Sequence, residues 1–333
     1  MPTRLDMRQI IPLDPATYQR HRIHVGNRTW AETNCYTDVI IELLHGLGHE
    51  PLAGLPFALA IDFEGDQWTF FKFPHADLLD LYGLDIQELA PWRPLVAHIE
   101  EQVGAGRPVL VELDSCYLPD TAGIAYRLAH VKSTVAVNEI DTAGRHLGYF
   151  HNQGYHHLEG LDFVDVFQLD GLVHERMLPP YIEFVKRAPR FTPLSGAGLV
   201  EASLALACRH VSRIPARNPF PAFKAAVQQD LEWLLRADID AFHAYSFATL
   251  RQYGACFELA RTYLDWLSEQ GVGGLARATE AYGQISQGTK AFQFQLARAM
   301  MRGKAFDLSP LDAMAGWWEQ AVDDLGHRLG AGR

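Results

Sequence analysis

WAETNCYTDVIIELLHGLGHEP, residues 30–51, decides how the rest of the chain is read. From Cys35 to about His49 the spacing is helical, with Val39, Ile40, Leu43, Leu44 and Leu47 on one face to be buried. Gly48 is the stop, and Thr33 or Asn34 caps the start. That places Cys35 in a first helical turn, where unpaired N–H groups and the helix dipole favour a thiolate. The same turn offers half of an oxyanion hole, from the Cys35 N–H, with the Asn34 side chain as a second donor. Free cysteine is also among the most buried residue types, so the position fits a small core residue too.

Downstream, PFALAIDFEGDQWTFFKF (56–73) reads as two strands around a Glu64-Gly65-Asp66 turn. HADLLDLYG (75–83) and RPLVAHIEEQVGAG (93–106) read as helices closed by glycine. PVLVELD (108–114) is a short apolar strand. AHVKSTVAVNEID (129–141) alternates, turns at Asp141 to Gly144, and pairs with HLGYFHN (146–152). Helices followed by a late antiparallel sheet predict an α+β fold. The character changes near residue 190, where KRAPRFTPLSGAG (186–198) reads as a linker. Beyond it, residues 197–211, 219–236, 238–269, 273–287 and 289–303 read as helices, and SPLDAMAGWWEQAVDDLGHRL (309–329) as one more. The expected division is a sheet-bearing catalytic domain at 1–190 and an all-α domain at 191–333.

Of the 333 residues, 48% are hydrophobic and 21% charged, a mixture able to build a full core. No apolar run is long enough for a membrane helix, and MPTRLDMRQIIPLD has no apolar signal region. The four cysteines, at 35, 116, 208 and 256, form no CxxC pair, which fits free thiols in a reducing cytoplasm. A net charge of −11 argues against a general nucleic-acid binder. From Lys186 to Lys224, however, seven basic residues face a single acidic one, Glu201. That stretch is either a solvated helical surface or a docking face for an acidic partner, centred on Arg209 and Arg213.

A cysteine nucleophile needs a base. His130, which begins the strand HVKSTVAV, is the favoured one among fifteen histidines. A third group should orient its ring, and the neighbouring strand offers His151 or Asn152, of which Asn152 is preferred because an amide accepts the ring N–H. Cys116 sits beside Asp114, whose charge raises a thiol pKa, and Cys208 and Cys256 lie in apolar helical runs. His146, His151, His156 and His157 form a histidine-rich run. Adjacent His156 and His157 point to opposite faces of a strand, and with no HExxH or paired-cysteine spacing no metal site is expected. No Walker-A or GxGxxG sequence supports nucleotide binding.

The order of these pieces resembles the papain-like fold of bacterial Cys-dependent acyltransferases and double-glycine-leader peptidases, above all the N-terminal domain of butirosin-type acyltransferases. The resemblance rests on Gly106-Arg107-Pro108, Asp114, Tyr117-Leu118-Pro119 and His130, over roughly residues 20–165. Where that family's last strand ends in Asp, this one ends in His151-Asn152. The resemblance implies a Cys35 acyl-enzyme, with His130 as base. The acyl or aminoacyl group would come from a carrier-protein phosphopantetheine thioester, with no cofactor bound by the chain itself. A small-molecule or peptide amine would accept it, and neither nucleic acid nor membrane would be a partner. From charge alone, and not from the resemblance, Asp114 or Asp120 is expected to hold the substrate's ammonium. A cysteine peptidase or amidase on the same triad is the alternative, or a non-catalytic carrier-protein or peptide-binding module. Over its whole length the chain also resembles an uncharacterised bacterial family, a domain of unknown function associated with stand-alone amino acid:carrier-protein ligases.

Overall fold

The computed structural model describes residues 8–31, 34–169, 180–302 and 306–330. They divide into two compact units. One takes residues up to Gly26, Asn34–Pro51 and Leu78–Pro193; the other takes Asn27–Thr33, Leu52–Asp77 and everything from Leu194. Two pieces of the first half of the chain therefore belong to the second unit.

The first unit contains α1 (Cys35–Gly46), most of α2 (His75–Tyr82), α3 (Leu95–Gly104) and α4 (Leu161–Val166). Its strands are β1 (Arg8–Gln9), β2 (Leu84–Glu88), β3 (Val109–Asp114), β4 (Lys132–Asp141), β5 (His146–His151), β6 (Gly154–Glu159) and β7 (Ile182–Arg187). They form one antiparallel sheet in the order β2-β7-β3-β4-β5-β6, with β1 on the far end of β4. The fold class is α+β. Register fixes which residues share a face: Val135 pairs with His151 and Leu113 with Ser133. Val111, Leu113, Val135, Val137, Leu147 and Tyr149 pack with Ile99 of α3 and Phe163 of α4 into one core. The opposite face carries α1. There Gly46 lets the helix approach, since a Cβ would lie 2.9 Å from the Phe150 ring.

α1 starts where the sequence puts it. The Asn34 side chain accepts a 2.8 Å hydrogen bond from the Thr37 N–H; Thr33, the other cap candidate, lies outside the described residues. The amphipathic reading is too mild, because every residue from Tyr36 to Leu44 is buried, Asp38 and Glu42 included. Those two carboxylates are buried around His24. Its Nδ1 contacts Glu42 and its Nε2 lies 3.3 Å from Asp38. Glu42 also accepts from the Tyr18 hydroxyl at 2.5 Å and the His21 N–H at 3.1 Å. Burial lowers the His24 pKa, but the hydrogen bonds and charges of Asp38 and Glu42 outweigh it, and the net shift is upward.

The second unit is helical: α5 (Gly196–Val211), α6 (Pro219–Leu234), α7 (Ile239–Ser246), α8 (Gln252–Glu269), α9 (Ala276–Arg302) and α10 (Ser309–Arg328). Three expectations are corrected here. The single helix expected at 238–269 is interrupted by a π-helical turn at Phe247–Arg251. The two helices expected at 273–287 and 289–303 are one helix, α9; residue 303 lies outside the described residues. Gly288 does not break α9, and a Cβ there would come within 3.2 Å of Met314, so its size serves packing. The two strands expected within 56–73 are a 3-10 turn at Pro56–Ala60 and a lone bridge between Phe63 and Trp68. The reason is Trp68, which is fully buried among Phe220, Phe223, Tyr253 and Phe257. A ring committed to a helical core overrides a local strand pattern. Residues 28–30 are pinned in the same way: Glu258 of α8 accepts from the Thr29 and Trp30 N–H groups and pairs with Arg28.

Candidate active site

Ser133 and Thr134 are neighbours on β4, so their side chains fall on opposite faces of the sheet. On the α1 face, Cys35 is half-buried and its sulfur lies 3.8 Å from Thr134 Oγ1. His130 precedes β4 with its side chain 71% exposed, and its Nδ1 lies 2.6 Å from Asp114 Oδ2. Asp114, expected to hold a substrate ammonium, is thus the partner of His130, and it also caps a helical turn through the Cys116 N–H. Asn152 occupies the β5–β6 turn with a left-handed φ of 47°. Among the described residues, no hydrogen bond joins Cys35, His130 and Asn152 to one another. The sulfur meets β4 four residues beyond His130, which is about 13 Å of extended chain. His151, the alternative orienter, is directed to the other face by the strand's alternation.

On that other face a hydrogen-bonded chain is complete. Ser133 Oγ lies 2.7 Å from His151 Nε2, and His151 Nδ1 lies 2.6 Å from Asp120 Oδ2. The Tyr149 hydroxyl donates to Asp120 Oδ1 at 2.6 Å. His151 and Tyr149 are there because β5 alternates, and Ser133 because it sits two residues before Val135, which pairs with His151. Asp120 is brought over by the loop after β3. In that loop Ser115 Oγ donates to the Val131 carbonyl, and Thr121 Oγ1 to those of Ser115 and Leu118. The His151 and Asp120 side chains are only 1% and 7% exposed. Burial raises the Asp120 pKa, but the hydrogen bond and charge of His151, with His156 and Tyr149, bring it below the usual carboxylate range. Burial and then Asp120 push the Tyr149 hydroxyl far up, so it stays a donor. An ionised Asp120 holds the proton on His151 Nδ1 and leaves Nε2 free to accept from Ser133.

A second titratable group stands on the α1 face, at the far end of β4 to β6. The ligand-competent atoms of Glu139, His146 and His157 all lie within 4.8 Å of one another. Among the described residues of the first unit, these are the ones grouped so that they could hold a metal ion.

Residues 19–187 match the DUF1839 N-terminal domain, and residues 196–327 match the DUF1839 C-terminal domain. The chain belongs to the DUF1839 family. No match was found among the curated proteins. Both titratable groups lie within the DUF1839 N-terminal domain. Of the basic residues expected to dock a partner, Arg209 of the DUF1839 C-terminal domain is tied to Asp77 at 2.7 Å, next to His210, which meets the same carboxylate at 2.6 Å. Lys224 pairs with Asp312 and Lys186 with Asp85, while Arg213 is exposed. Three of the seven basic residues of the stretch are therefore paired locally. No helix among the described residues is long and apolar enough to cross a membrane.

In the sequence His151 and Asp120 suggested other roles, and Ser133 carried no mark of its own. The signal was parity: serine, tyrosine and histidine at 133, 149 and 151 share a face only once the register of the hairpin is fixed.

Proposed function

We propose that the first unit catalyses acyl transfer through Ser133, and the observation that carries this is the Ser133–His151–Asp120 hydrogen-bonded chain. Ser133 Oγ attacks an acyl carbonyl while its proton passes to His151 Nε2. His151 then gives that proton to the leaving group, and an ester on Ser133 remains. An amine or water, deprotonated by the same nitrogen, takes the acyl group and restores the serine. Asp120 holds the imidazole tautomer and Tyr149 holds Asp120. The proposed donor is an acyl or aminoacyl thioester on a carrier protein's phosphopantetheine arm. The resemblance to acyltransferases supports this donor. So does the apolar surface on the loop that carries Asp120, where Ile124, Leu128 and Val131 are 75%, 70% and 51% exposed.

A second reading keeps Cys35 as nucleophile, favoured by its place, only partly buried, at the N-terminus of α1. An acyl thioester of N-acetylcysteamine, a truncated carrier arm, distinguishes the two. Thiol release by the wild type that disappears in Ser133→Ala and persists in Cys35→Ser supports the serine. The reverse pattern transfers the role to Cys35. Release by neither, with carrier protein still bound, leaves a binding module.

A further inference from the structure

We propose that Glu139, His146 and His157 form a binding site for a divalent first-row transition-metal ion, with zinc as the first candidate. The three residues come from three adjacent strands, β4, β5 and β6, and share the α1 face. His146 Nε2 lies 3.7 Å from Glu139 Oε1, and His157 Nε2 lies 3.7 Å from Glu139 Oε2. An ion bound at ordinary zinc–ligand distances separates tetrahedral ligand atoms by about 3.3 Å, so a contraction of a few tenths of an ångström closes these two spans. Two imidazoles and one carboxylate are a donor set that zinc and ferrous iron both accept.

The two ring nitrogens are the independent observation. His146 is 9% exposed, and its Nε2 is buried with no hydrogen-bond partner; His157 Nε2 is in the same condition. Buried polar atoms are rarely left so, because each costs about 1–3 kcal/mol. Each nitrogen has Glu139 within ion-pair reach, but at 3.7 Å in both cases, which exceeds a hydrogen bond even with a proton on the ring. An ion satisfies both nitrogens and the carboxylate at once. The surroundings are arranged for it. His146 Nδ1 lies 3.0 Å from Glu159 Oε1, which fixes the tautomer and directs the Nε2 lone pair inward. Gly148, paired with both Glu139 and His157, keeps the space open: a Cβ there would lie 3.0 Å from Glu139 Oε2 and 2.4 Å from the Tyr155 hydroxyl oxygen. The His157 side chain is 31% exposed, which leaves an entry path and room for water or a substrate atom on the ion. The sequence hid the site because its members, at 139, 146 and 157, follow no spacing motif, and the adjacent His156 faces the other way.

Competition of zinc against a chromophoric chelator, with full-length protein stripped of metal, tests this. The expected result is one equivalent bound at micromolar or tighter affinity, weakened at least tenfold in His157→Ala and His146→Ala and unchanged in His156→Ala. His157 is partly exposed, so that variant should keep its thermal melt and remain interpretable. Cobalt should give a visible d–d spectrum in the wild type that is lost in His157→Ala. Absence of binding by the wild type, or binding equal in the wild type and both ligand variants, overturns the proposal. Thiol release from the acyl thioester reports separately on Ser133.

Discussion

The two faces of β4 offer a direct comparison. Ser133 and Thr134 are chemically similar hydroxyls one residue apart, yet only Ser133 meets an imidazole. Thr134 meets the sulfur of Cys35. Around α1 itself the buried charge is spent on structure, with His24 enclosed by Asp38 and Glu42. The opposite face arranges a carboxylate, an imidazole and a hydroxyl in series. What separates the faces is the direction of the lone pairs and protons rather than residue type, since both carry buried His and Asp.

This contrast can be broken by substitution. The largest effect should come from His151→Ala, which removes the proposed base and should lower thioester turnover by about 10³–10⁴-fold, measured by thiol release. On the α1 face His24→Ala should leave turnover per folded molecule nearly intact but cost about 3–5 kcal/mol of stability in urea titrations, because two buried carboxylates lose their cation. That cost should depend on pH with a definite sign. The folded-state pKa of His24 is raised, so its contribution is complete below the usual histidine range and fades as pH rises through the raised value. The wild-type advantage over His24→Ala should therefore shrink on the alkaline side. Asp120 behaves oppositely: its pKa is lowered, so its contribution holds above the usual carboxylate range and is lost as pH falls through the depressed value. Tyr149→Phe, which removes one hydrogen bond to Asp120, should cost about 1–2 kcal/mol and move the acid limb of the pH–rate profile upward. Smallest of all, Cys35→Ser should change turnover less than about twofold, because nothing in the serine chain touches the sulfur; that figure corresponds to about 0.4 kcal/mol.

Much of the frame was legible. The Asn34 cap, the strand at 109–114 and the hairpin of β4 and β5 follow from capping chemistry and period-2 alternation. β6 and β7 were missed. GYHHLE carries too little apolar alternation to announce a strand, and IEFVKR is recruited between β2 and β3 by long-range pairing that no local pattern shows. The site was legible only in fragments. His151 stood out at a strand end and Asp120 only as a carboxylate for a substrate ammonium, but their partnership depends on a loop fold and a register. A serine inside a strand gives no signal until the strand beside it is known to place a histidine opposite.

Labelling the wild-type protein with a fluorophosphonate in parallel with iodoacetamide, and mapping the modified peptides by mass spectrometry, would decide between Ser133 and Cys35. Fluorophosphonate should label Ser133 and fail to do so in His151→Ala, with Cys35 alkylated no faster than an ordinary thiol. A Ser133 that resists the probe while Cys35 alkylates rapidly at neutral pH, slowed by His130→Ala, would contradict the role of Ser133.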